Sequence, residues 1–127
     1  MAIKTLFRRM DAEIERLLFG FETDPETEFS ERGGVLPRYT SDLLAAEEIV
    51  QRIKADGGDV FITEPDGIFE CFVLVPTAYK GWTDAEIRAK SRPLAIGIAT
   101  LKAAGQITNL RGSIHVQLRE IEELESH

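Results

Sequence analysis

The chain has 127 residues, 43% hydrophobic and 29% charged, the profile of one globular domain with enough length to bury a core. Fifteen basic against 22 acidic residues give a net charge of −7, which argues against direct binding to nucleic acid or to an anionic membrane, since both need a basic footprint. A lone cysteine, Cys71, excludes an intramolecular disulfide, and no apolar run approaches the roughly 20 residues that span a bilayer. A reducing, cytoplasmic setting is expected, and the start Met1–Arg9 carries no small-residue cleavage site of a signal peptide.

From Ile3 to Phe21 the apolar residues Ile3, Leu6, Phe7, Met10, Ile14, Leu17, Leu18 and Phe21 keep the i, i+3, i+4, i+7 spacing of an amphipathic helix. Arg8, Arg9, Asp11, Glu13 and Arg16 lie off that stripe, and Gly20 offers a stop. Residues 22–37 change character to Thr, Asp, Pro, Glu, Ser and two glycines, with Glu22, Asp24, Glu26, Glu28 and Glu31 all acidic. This reads as an exposed loop or ragged edge, and its spacing does not match a calcium loop. Thr40, Ser41 or Asp42 then caps a helix over 42–56, whose stripe is Leu43, Ala46, Val50 and Ile53. Glu48 and Arg52 stand at the spacing of a helix ion pair, and Gly57-Gly58 ends the helix.

The clearest local signal spans Asp59 to Pro76, where two runs rich in β-branched and aromatic residues flank Glu64-Pro65-Asp66-Gly67. Proline presets φ and glycine supplies a positive φ, so a hairpin is expected. Phe69, Cys71, Val73 and Val75 would share one face of its second strand, and Ile68, Glu70, Phe72 and Leu74 the other. Both faces being largely apolar, the sheet is expected to be covered on both sides, or on one side plus a partner. Residues 76–81 read as a loop, and Thr83-Asp84-Ala85-Glu86 as a capping box that starts a short helical turn. Ser91-Arg92-Pro93 opens a small-residue helix that ends at Gly105. Beyond it, Ser113–Leu118 alternates as a strand does, followed by a short acidic helix or tail. The expectation is therefore an α/β (α+β) domain over residues 1–105, an α–β–α layered sandwich around a small antiparallel hairpin sheet, with 106–127 as a C-terminal extension.

Three stretches together resemble the phage ABA sandwich domain family. They are Leu17-Leu18-Phe19-Gly20-Phe21, Pro37-Arg38-Tyr39-Thr40-Ser41-Asp42, and Pro93-Leu94-Ala95-Ile96 with Leu101-Lys102-Ala103. The likeness covers about Met10 to Gly105. Phe21 stands where the family usually has tryptophan, and Gly97 where it often has cysteine. The resemblance implies an α–β–α sandwich carried by phages and prophages, working in the bacterial host cytoplasm. It brings no assigned activity.

Candidate sites divide into the chemical and the adhesive. The chain has no Gly-x-Ser-x-Gly elbow, phosphate loop or paired Cys/His, and neither His115 nor His127 has a ligand partner at metal spacing. No catalytic residue, metal or cofactor is expected, and the protein is read as a non-enzyme; a small enzyme is the weakest alternative. Glu70 on an apolar strand face is either a raised-pKa base or, more simply, paired with Arg or Lys. Arg38, Tyr39, Tyr79, Lys80 and Trp82 have the composition of a ligand- or partner-binding surface. The acidic run Glu22, Asp24, Glu26, Glu28, Glu31 suits a basic partner, because clustered carboxylates imitate a phosphate backbone. Two binding functions follow as expectations: an acidic inhibitor of a host nucleic-acid-binding or defence protein, or a small-ligand (nucleotide-like) binder with its pocket at an oligomer interface. The sheet edges favour a homodimer.

Overall fold

The computed structural model describes residues 5–77 and 81–105, with side chains described to Val75 and again from Ala85. Helix α1 (Leu6–Ile14) runs into a π-helical turn (Glu15–Phe19), followed by a two-stranded ribbon of β1 (Phe29–Ser30) and β2 (Gly34–Val35). Helix α2 (Leu43–Ala55), strands β3 (Asp59–Thr63), β4 (Phe69–Thr77) and β5 (Gly81–Ala89), and helix α3 (Arg92–Gly105) complete the order. Both sheets are antiparallel, the larger in the order β3-β4-β5. The α+β class read from the sequence is the one observed.

Local chemistry explains most of these boundaries. Asp42 caps α2 by accepting from the Leu44 N–H. Pro65–Gly67 closes the hairpin with Asp66 (φ 54°) and Gly67 (φ 77°) both in the left-handed region, so aspartate enters the strained conformation alongside glycine. Arg52 pairs with Asp56 at 3.1 Å rather than with Glu48, which lies 3.7 Å from Arg32. The segment from Thr83 to Glu86 is not a helical turn but part of strand β5. Ala85, Ile87 and Ala89 are buried while Glu86 and Arg88 are exposed. That period of two, matched by pairing with β4 from Phe69↔Ala89 to Thr77↔Gly81, outweighs the local capping signal.

The core lies between the sheet and the helices. Val60, Ile62, Phe69, Cys71, Val73, Val75, Ile87 and Ala89 meet the buried faces of α2 and α3. Cys71 is fully buried, its thiol pushed up to about 12 by burial, so it acts as a small hydrophobe. Every residue of α3 from Leu94 to Leu101 is buried. Helix α1 packs on α3, and Gly97 makes room for the segment that precedes α2: a Cβ there would sit 2.8 Å from Thr40 Cγ2, while Ile14 Cδ1 of α1, at 3.6 Å, would be in ordinary contact. No helix among the described residues is long and apolar enough to cross a membrane. The strand expected at 113–118 and the acidic tail lie outside the described residues.

Candidate protein-binding site

The acidic run is folded, and two arginines fasten it to the first helix. Arg8 is buried. It donates through Nη1 to Asp11 Oδ2 (2.8 Å) and Pro37 O (3.2 Å), through Nη2 to Leu36 O (2.8 Å), and through Nε to Glu28 Oε1 (2.6 Å). Asp11 Oδ1 accepts from both the Thr40 N–H and the Thr40 hydroxyl at 2.9 Å. Burial raises the Asp11 carboxyl above its ordinary value, and the hydrogen bonds from Thr40 and Arg8 oppose that shift without cancelling it.

The second clamp is centred on Glu15, which is fully buried. Its carboxylate takes both Nε and Nη2 of Arg32, the fork geometry that arginine suits, and it accepts from Tyr39 Oη at 2.6 Å. Arg32 Nη2 also donates to Tyr39 Oη at 2.8 Å. The guanidinium lies 4.8 Å from the Phe19 ring centre and 5.4 Å from that of Phe21, and Phe19 stacks on Tyr39 at 5.6 Å. The widened π-turn at 15–19, ending at Gly20, brings Glu15 and both phenylalanines to the same arginine. Burial, then the hydrogen bond to Glu15, drives the Tyr39 hydroxyl well above its ordinary value.

Between these clamps stands the ribbon. Leu36 N donates to Glu28 O (2.7 Å), Asp24 N to Phe29 O (2.8 Å), and Glu31 N to Glu22 O (2.9 Å). Glu28 holds a left-handed φ of 60°, a conformation costly for glutamate and fixed here by Arg8. Side chains alternate across the ribbon: Ser30 and Leu36 point inwards, while Phe29 and Val35, paired across the strands, are 56% and 61% exposed. Glu22, Asp24, Glu26 and Glu31 are exposed in the same segment. The result is a rigidly held apolar pair within an acidic rim.

The sequence-derived site residues separate accordingly. Tyr39 does not belong to a surface: it is fully buried, because its ring stacks on Phe19 of the π-helical turn and its hydroxyl completes the Glu15 cluster. Arg38 is exposed beside it. Tyr79 and Lys80 lie outside the described residues, and Trp82 is placed by its backbone alone, opposite Pro76. In the acidic run, Glu28 is an ion-pair partner of Arg8, Asp24 accepts from the Glu26 and Thr27 N–H groups, and Glu31 accepts from the Glu22 N–H. These three therefore shape the ribbon as well as charge it. Glu70 pairs with Arg88 across β4 and β5 at 3.4 Å.

Sequence reasoning did not find Arg8, Asp11 and Glu15 as a group. Their i, i+3, i+7 spacing is a second helical stripe beside the apolar one, a signal that this helix buries two faces. Comparison with protein-family models, with curated proteins and with solved structures finds no match.

Proposed function

We propose that this is a phage- or prophage-encoded accessory protein that works by binding rather than catalysis, as an acidic inhibitor of a basic host protein. The phage setting comes from the three motif resemblances. The observation that supports the binding reading is the ribbon: two exposed apolar side chains, Phe29 and Val35, within a rim of carboxylates, on a backbone fastened by Arg8 and Arg32. Aromatic side chains are enriched at binding interfaces, whose rims are polar and solvent-accessible. A backbone already held in one shape loses little entropy on association. The carboxylates steer a basic surface towards the anchor, as a nucleic-acid backbone would.

The test is capture from bacterial lysate at low salt by the full chain and by two variants. One replaces Glu22, Glu26 and Glu31 with glutamine, and the other is Phe29→Lys. Both variants are expected to keep the fold and to lose a basic protein that the parent retains. Retention unchanged in the glutamine variant would exclude the charge-mimic reading.

A further inference from the structure

The sheet has a second face, turned away from α2 and α3, that the ribbon does not involve. Strand alternation and register place on it the rows Thr63–Glu70–Arg88 and Phe61–Phe72–Glu86, and the pair Asp59–Leu74. Phe61 is 52% exposed and lies 6.2 Å, ring centre to ring centre, from Phe72; Leu74 and Ile68 are half-buried beside them. An exposed aromatic on edge strand β3 packed on a second aromatic of the central strand β4 makes a contiguous apolar patch that a partner can cover. Among the described side chains at these strand positions are three carboxylates, Asp59, Glu70 and Glu86, against one guanidinium, Arg88, a formal balance of −2.

We propose that this face docks a basic amphipathic helix of a protein partner, its apolar stripe on Phe61, Phe72 and Leu74 and its lysines or arginines towards Asp59, Glu70 and Glu86. Three strands spaced by about 4.8 Å make a platform about as wide as one helix, which is about 10 Å across. Charge selects the occupant. A second copy brings the same acidic face from a chain of net charge −7. The chain's own residues 106–127 contain Arg111 and Arg119 against Glu120, Glu122, Glu123 and Glu125, a net of −2 by sequence. Like charges set against the carboxylates of this face are destabilising, and a basic helix is complementary to them. The inference rests on the reading of the protein as a binder, but on residues separate from the ribbon.

The experiment is fluorescence anisotropy of the full chain with a labelled Leu/Lys amphipathic helical peptide, and with its Leu/Glu counterpart as control. The Leu/Lys peptide is expected to bind and the Leu/Glu peptide not to. Phe61→Lys should weaken binding about tenfold or more and Glu86→Lys several-fold, whereas Phe29→Lys should change nothing. Thermal unfolding would show that these exposed substitutions leave the fold intact. Equal binding by Phe61→Lys, loss that follows Phe29→Lys instead, or no binding overturns the proposal. A parent that is dimeric by light scattering and becomes monomeric on Phe61→Lys also overturns it, in favour of a second copy. If lysate capture depends on the ribbon while the peptide ignores the sheet face, the binding function stands and this inference alone fails.

Discussion

Helix α3 and the charged face of helix α1 are held by opposite physics. The α3–sheet seam joins Leu94, Ile98 and Leu101 to Cys71, Val73 and Ile87, a contact that is non-directional and scales with buried area. The α1–ribbon seam instead buries Arg8, Asp11 and Glu15 and satisfies them with Leu36, Thr40, Arg32 and Tyr39. A charged seam contributes little net stability over an apolar one, because desolvation offsets attraction. What it provides is one permitted geometry: the guanidinium donors of Arg8 and Arg32 and their several acceptors must all meet at fixed positions. The apolar seam builds the platform, and the charged seam fixes the shape of what that platform displays.

The sharpest way to break this contrast is at Glu15. Glu15→Ala leaves the Tyr39 hydroxyl and the Arg32 guanidinium without their shared acceptor and is expected to cost about 4 kcal/mol in urea unfolding. Replacing all three together, Glu15→Leu with Arg32→Met and Tyr39→Phe, should recover most of that loss. A triple variant as unstable as the single one would show that the cluster stabilises in its own right. Next in size is Gly97→Ala, where the Thr40 methyl, 2.8 Å from the added Cβ, leaves no room. It should lower stability by about 2 kcal/mol, read from the denaturation midpoint.

Tyr39 tests the charged seam through pH. Its folded-state pKa is raised above the ordinary value of 10.0, first by burial and then by Glu15, so its contribution is complete below that value and is lost as pH climbs above it. Urea midpoints taken from about pH 8 to about pH 11 should fall more steeply for the parent than for Tyr39→Phe. In a Tyr79→Phe background, where Tyr39 is the only tyrosine, tyrosinate absorbance should appear only with unfolding. Tyr39→Phe itself should cost about 1.5 kcal/mol near neutral pH, measured in the same titrations. The smallest effect belongs to the exposed pair Arg52–Asp56, where Arg52→Ala should cost about 0.4 kcal/mol by thermal unfolding.

The same contrast explains what could be read in the sequence. The α2 cap, the hairpin turn and the small-residue helix rest on residues a few positions apart, and the residue types alone disclose them. Strand β5 was hidden because Thr83-x-x-Glu86 is a sound local helix signal that only pairing with β4 overrides. The clamps were hidden because their partners are far apart in the chain: Arg8 with Glu28 and Leu36, Glu15 with Arg32 and Tyr39. Tyr39 looked like a surface aromatic because its loop is polar, although its ring fills a seam that only the fold creates. Of the site, the acidity of residues 22–31 was visible in advance. Its exposed apolar pair was not, since Phe29 and Val35 become neighbours only when the ribbon forms.

A ribbon that is a fixed element of the free protein must show it in amide hydrogen exchange. The Leu36 amide, bonded to Glu28 O at 2.7 Å, should be protected in the parent and should exchange much faster in Arg8→Ala, with amides in the middle of α3 little changed. Fast exchange at Leu36 in the parent, at the rate of an open loop, would mean that the ribbon is not preformed.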